Sequence, residues 1–289
     1  MTIFSGSPGE LSVLAGLLGL IVGSFLNVVI LRLPARLLHG WRLQSQELLE
    51  LPAAESVAAP PGLIWEPSHC PQCKHRLGAL ENIPVVSWLL LRGRCKHCGA
   101  SISVQYPLVE LLTALCSAAV VAKFGLTWQA AAGLGLTWAL VALAGIDIRT
   151  HLLPDQLTLP LLWGGLLLSL VPLFVASTAS IVGAAAGYLS LWSVYWLFKL
   201  LTGKEGMGYG DFKLLAALGA WMGPAALLPI VLLSSLVGAV IGGAFLVIQG
   251  RDRATPIPFG PFIAAAGWIW FLYGERLISL YRNLLGLAG

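Results

Sequence analysis

Two aspartates stand where an apolar chain has least use for them. Asp147 closes the apolar run 128–146, and Asp211 opens the run 212–223 after Gly206-Met207-Gly208-Tyr209-Gly210. A charged side chain near bilayer hydrocarbon costs about 2.5–3.5 kcal/mol on insertion scales, so each acid needs a reason. Asp211 can be read as a helix cap, and so can Asp155, which lies between Pro154 and a further apolar run. Asp147 cannot, because the C-terminal end of a helix disfavours negative charge. Two carboxylates held together do not easily both ionise. They share a proton, so one can activate water while the other protonates a leaving amine. That is sufficient chemistry for peptide hydrolysis. Gly208 and Gly210 would let a substrate backbone approach closely. Neither Gly-x-Ser-x-Gly nor His-Glu-x-x-His occurs, so serine-hydrolase and zinc-protease readings lose support.

A second constellation is made of sulfur. Cys70-Pro71-Gln72-Cys73 and Cys95-Lys96-His97-Cys98 enclose 21 residues. Paired Cys-x-x-Cys segments in one polar loop point to tetrahedral thiolate ligation, of zinc first and of iron second. The 73-residue stretch 32–104, with seven prolines, cannot bury much core, so a metal would supply folding free energy. Four sulfurs close the coordination shell, which makes the site structural. His69, His75 and His97 are then surface residues, and the fifth cysteine, Cys116, is packing within an apolar run.

The elements that must position these groups are membrane helices. Of the 289 residues only 10% are charged and 57% are hydrophobic, and the mean hydropathy is +0.84. Soluble domains carry roughly a quarter charged residues, so the chain is read as an all-α polytopic membrane protein. Apolar runs fall at 11–31, 105–122, 128–146, 156–176, 180–201, 212–223, 224–249 and 259–282, giving about eight spans. The run 212–223 can cross only if its helix continues past Pro224. The first ten residues hold no Lys or Arg, so the first run is taken as a retained span. The stretch 44–64 reads as an irregular connector. Gly19/Gly23, Gly183/Gly187, Gly219/Gly223 and Gly238/Gly242 mark close helix contacts.

Eight of the 17 Lys and Arg lie within 32–104, which puts that loop in the cytoplasm and the N-terminus outside. With eight spans, Arg251 and Arg253 fall inside and Arg276 and Arg282 outside; seven spans exchange the two pairs for the same score. Both counts place Asp147, Asp155 and Asp211 at the cytoplasmic face. The expected division is a first helix at 1–31, a four-cysteine cytoplasmic domain at 32–104 and a membrane peptidase domain at 105–289. The basic excess of the loop over Glu47, Glu50, Glu55, Glu66 and Glu81 is small, so nucleic acid is not an expected partner.

At Gly208-Tyr209-Gly210-Asp211 the chain resembles the intramembrane aspartyl proteases with a Gly-x-Gly-Asp motif. More narrowly it is similar to the type IV prepilin peptidases. The likeness runs through Gly23-Ser24-Phe25-Leu26-Asn27-Val28-Val29, Arg32-Leu33-Pro34, the four cysteines and Glu81-Asn82-Ile83-Pro84. It continues through Tyr106-Pro107-Leu108-Val109-Glu110, the stretch 147–155, Gly206 to Lys213 and Pro256-Ile257-Pro258-Phe259-Gly260-Pro261. The resemblance implies Asp147 and Asp211 as the dyad, with Asp155, Gly208, Gly210 and Lys213 in support. It also implies an inner-membrane enzyme that removes the short basic leader of prepilins and pseudopilins after a glycine. It would then methylate the new N-terminus with S-adenosylmethionine. Methyl transfer comes from the resemblance alone, since no Gly-x-Gly-x-x-Gly fold signature is present. Asn27, Arg32, Glu81 and Glu110 are the candidates for the donor or substrate site. Each also has a plain structural role open to it: an interhelical bond, a topology anchor, a surface acid and the partner of a basic residue. The Pro258–Pro261 turn would align an extended substrate or simply start a helix. A peptidase without methyltransferase activity, an ion-coupled transporter and a zinc docking module on an anchor are the rivals. The transporter is disfavoured because the acids cluster at one face and no inverted repeat is visible.

Overall fold

The computed structural model describes residues 7–50, 58–249 and 257–284. Glu55, Arg251, Arg253 and Pro256 lie outside the described residues, as does part of the 44–64 connector; of Arg282 only the backbone is described. Among the described residues the structure is helical, with no strand beyond two isolated bridges. The chain divides into two units, Met1–Leu126 and Thr127–Gly289.

The first unit is built on α1 (Pro8–Leu48), a helix of 41 residues that continues well past the apolar run ending at 31. Ser7 and Glu10 form a reciprocal capping box at its start, which satisfies two otherwise orphaned N–H groups. After the loop come a short α2 (Val86–Leu90) and α3 (Gln105–Phe124). α1 and α3 pack closely because Gly19 and Gly23 carry no side chain: a Cβ at either would lie 2.7 Å from the Cα of Ala114 or Glu110.

The second unit holds α4 (Trp128–Thr150), α5 (Asp155–Leu168), α6 (Ser177–Thr202), α7 (Tyr209–Met222), α8 (Leu227–Gln249) and α9 (Gly260–Leu284). α7 is its centre. From Asp211 to Trp221 nearly every residue is buried, so this helix is apolar all round rather than on one stripe. Gly183 of α6 meets the backbone of Gly219, and Gly187 meets Leu215 and Ala216. On the α5 side, Trp221 Nε1 donates to the carbonyl of Leu161 at 2.8 Å. α9 joins α4 through Trp268 Nε1, which donates to Thr137 Oγ1 at 3.1 Å. Large outward side chains such as Leu228, Leu232, Leu236 and Val240 remain exposed, as lipid requires.

Among the described residues five helices are long and apolar enough to cross a membrane: α1, α3, α4, α6 and the helix covering Pro224–Ala244. α7 does not continue past Pro224. Gly223 caps it at φ +75°, and a 3-10 turn, Pro224–Ala226, leads into α8. α5 and α7 have 14 residues each, or ~21 Å, short of the ~30 Å of bilayer hydrocarbon. The chain is a multi-pass membrane protein whose central helix is shorter than a span.

Candidate functional site

Asp147 lies in the last turn of α4 and is 5% exposed. Its awkward place at a helix C-terminus is resolved by a different helix. The backbone N–H of Gly260, the first residue of α9, donates to Asp147 Oδ2 at 3.0 Å. The partial positive end of α9 therefore faces the acid that α4 disfavours. The Pro258–Pro261 turn does start a helix, with Phe262 and Ile263 N–H bonded to the Phe259 carbonyl. It also supplies the donor that orients Asp147, a role the sequence did not suggest.

Asp211 occupies the first turn of α7 and is 7% exposed. It is not the cap residue: that is Gly208, whose carbonyl accepts the Asp211 backbone N–H at 3.3 Å. The backbone next to Asp211 and the backbone bonded to Asp147 pack on the same residue. One side chain explains how they are held. Leu153, in the turn after α4, fits against both glycines that flank the acids. A Cβ on Gly210 would sit 2.7 Å from Leu153 Cβ, and one on Gly260 would sit 3.0 Å from Leu153 Cδ1 and 2.7 Å from Asp147 Oδ2. Neither site admits alanine without displacing its neighbours, so Gly210 and Gly260 are required by close approach. Gly208 is not crowded: a Cβ there would come no closer than 4.0 Å to its neighbours.

Asp155 and Lys213 belong together but apart from the buried pair. Lys213 Nζ donates to both Asp155 carboxylate oxygens, at 2.6 and 2.8 Å, in a partly exposed bridge between α5 and α7. Asp155 follows the N-cap, Pro154, and does not cap α5 with its own side chain. Tyr209 packs its ring on Tyr195 and Phe212 and so anchors the glycine-rich turn on α6.

The four cysteines form a second centre in the other unit. Their sulfurs all lie within 4.8 Å of one another, with Cys70–Cys98 at 3.8 Å and Cys73–Cys95 at 4.0 Å. Zinc–sulfur bonds of ~2.3 Å in a tetrahedron set sulfurs ~3.8 Å apart, so the residues fit such an ion. The two knuckles repeat one backbone pattern. Lys74 N–H bonds the Cys70 carbonyl and Cys70 N–H bonds that of His75; Gly99 and Ala100 treat Cys95 in the same way. Each knuckle turns through a positive φ, +59° at Lys74 and +72° at Gly99. His75 and His97 stack at 4.8 Å beside the sulfurs and stay outside the ligand set.

The remaining candidates lie in the unit of α1. Arg32 donates to the carbonyls of Gly62, Glu66 and Pro67 and ties the loop to α1. Glu81 accepts from Gly78 N–H, which holds its carboxyl below the usual range. Glu110 is buried, and its partner is the Val85 N–H at 2.7 Å rather than a basic residue. Asn27 donates across to the Tyr106 carbonyl at 3.0 Å, the interhelical bond expected of it.

A sequence model described as the bacterial peptidase A24 N-terminal domain matches residues 17–124, and one described as the type IV leader peptidase family matches 134–243. A prepilin leader peptidase/N-methyltransferase of Xanthomonas campestris pv. campestris is 54% identical over 99% of this chain and 100% of its own length. A protein of the same name from Stutzerimonas stutzeri is 53% identical over 98% of both chains. The corresponding protein of Aeromonas hydrophila is 55% identical over 96% of this chain and 95% of its own. No solved structure matches at a significant level.

Proposed function

This chain belongs to the type IV leader peptidase family, and from that premise we propose that it is a prepilin leader peptidase and N-methyltransferase. What carries the peptidase is the meeting of two buried aspartates from α4 and α7, each at the N-terminal end of a helix, α9 or α7. Two such carboxylates hold one proton between them. The ionised member takes a proton from water as it attacks the scissile carbonyl, and the protonated member gives its own to the departing amine. The Gly260 N–H fixes the rotamer of Asp147, and the open side of Gly208 admits an extended substrate strand.

Substrates are prepilins and pseudopilins cut behind a short basic leader, and the enzyme lies in the inner membrane with the large first loop cytoplasmic and the N-terminus periplasmic. Fourteen of 17 Lys and Arg on the inner side support that orientation. Within the loop, Cys70, Cys73, Cys95 and Cys98 would hold a structural zinc, whose role is to close a loop without a core of its own. S-adenosylmethionine supplies the methyl group for the second step, with Asn27, Arg32, Glu81 and Glu110 as the candidate residues near it. The boundaries 1–31, 32–104 and 105–289 describe these roles, although α1 and α3 pack as one pair.

Purified protein incubated with a model prepilin and S-adenosylmethionine, followed by mass spectrometry, tests both activities. The expected product lacks its leader and carries one added methyl. Intact substrate would remove the peptidase, and a trimmed but unmodified product would remove the methyltransferase.

A further inference from the structure

Where α1 meets the start of α3, the first unit contains a buried polar cluster that neither the dyad nor the sulfur site uses. Asn27 is 1% exposed. Its amide nitrogen donates to the Gly23 and Tyr106 carbonyls, while its oxygen, Oδ1, is buried and has no partner. One turn along α3 from Tyr106 is Glu110, 6% exposed, with the Ser24 hydroxyl beside it. No ion pair to Glu110 forms among the described residues. Its carboxylate holds the N–H of Val85, and Val85 is strained. This β-branched residue sits at φ +61°, ψ −49°, the centre of a three-residue turn closed by Val86 N–H to the Pro84 carbonyl at 2.6 Å. Such positive-φ γ-turns are rare, and β-branched residues avoid them.

Each feature is unfavourable by itself: a buried acceptor without a donor, a buried carboxylate without a cation, and a strained turn. The two donated bonds account for the Asn27 nitrogen but not for Oδ1, and the Val85 N–H and Ser24 hydroxyl leave the Glu110 charge without a counter-ion among the described residues. The first two become favourable with one kind of ligand. Oδ1 and the carboxylate are both acceptors, and they lack N–H donors bearing positive charge. We infer that Asn27 and Glu110 form a binding site for a primary ammonium group, an inference that rests on the methyltransferase function proposed above. A primary ammonium offers three charged donors, enough for Oδ1 and both carboxylate oxygens. The two-step reaction contains two such groups: the amino-acid end of S-adenosylmethionine and the freshly released N-terminus of the trimmed substrate. Arg32 and Glu81 do not share in the site, because the loop carbonyls and the Gly78 N–H already engage them.

Calorimetry on the full-length protein in detergent tests the site without requiring turnover. One arm titrates S-adenosylmethionine. The other titrates a mature-form peptide with a free amino terminus, against its acetylated counterpart. Glu110→Gln and Asn27→Leu should weaken one of these ligands by at least about 10-fold, and which one identifies the source of the ammonium. Asn27→Leu also removes the donor to the Tyr106 carbonyl, so Glu110→Gln, which keeps an acceptor for the Val85 N–H, is the milder of the two variants. Wild-type binding of both ligands in both variants would overturn the inference. If the wild-type enzyme trims but never methylates, the proposed second activity fails instead, and the binding arms still report on the site.

Discussion

The sulfur centre and the aspartyl pair gather reactive groups in opposite ways. The four cysteines come from two short knuckles 21 residues apart, each shaped by its own i-to-i+4 and i-to-i+5 backbone bonds, so either half forms locally. The aspartates come from the end of one helix and the start of another, with a third helix supplying the Gly260 N–H from 113 residues away. A bound metal can compensate for a loop with little core. The dyad depends on packing instead: Leu153 against two glycines, and a central helix buried on every side. Small changes of shape should therefore damage the dyad and leave the sulfur site intact, whereas loss of one ligand should do the reverse.

The largest effect is expected from Asp147→Asn and Asp211→Asn, each lowering kcat for leader removal by about 10²–10⁴-fold with helical content and metal content unchanged. A variant that kept most of its rate would show that its acid is not part of the chemistry. Next in size is ligand loss in the other unit. Cys73→Ser, or stripping the metal with a strong chelator, should leave 58–104 open to protease while the circular dichroism of the helices persists. Metal analysis of wild type should give close to one zinc per chain, and substoichiometric zinc and iron would count against the site.

Gly260→Ala sharpens the contrast, because it alters no reactive group. A methyl 2.7 Å from Asp147 Oδ2 must push the carboxylate aside. A stability cost of about 1–3 kcal/mol is expected from overpacking. A kcat loss of between about 10- and 100-fold should accompany it with little change in KM. Kinetics like wild type would mean that the Gly260 contact does not set the acid's position. Lys213→Met should be milder, since its partly exposed pair with Asp155 contributes under about 1 kcal/mol. The smallest effect concerns pH. With its carboxyl held below the usual range, Glu81 stabilises the loop above the ordinary carboxylate range of ~4.3. That contribution should disappear as pH falls through the lower folded value, and Glu81→Gln should remove it; NMR titration of the loop checks both.

The helical class, the pairing of the cysteines and the odd placement of the two aspartates were legible because each is written in a short stretch: hydropathy in runs, Cys-x-x-Cys in four residues, an acid misplaced at a helix end. The break after α7 was half legible, since Gly223-Pro224 shows where the helix must stop but not that the helix sits at the core. What stayed hidden is relational. Nothing near Gly260 announces a partner at Asp147, and Leu153 looks like any other leucine until Gly210 and Gly260 are seen against it. The turn at Val85 runs against its own residue type, so propensity points away from it.

Leader removal requires the two acids to act as one group. Rates of leader removal under single-turnover conditions, for Asp147→Asn, Asp211→Asn and the double variant, test this most directly. If they share a proton, the double variant falls no further than the slower single one. Two losses that multiply would contradict it, because separate groups contribute independently.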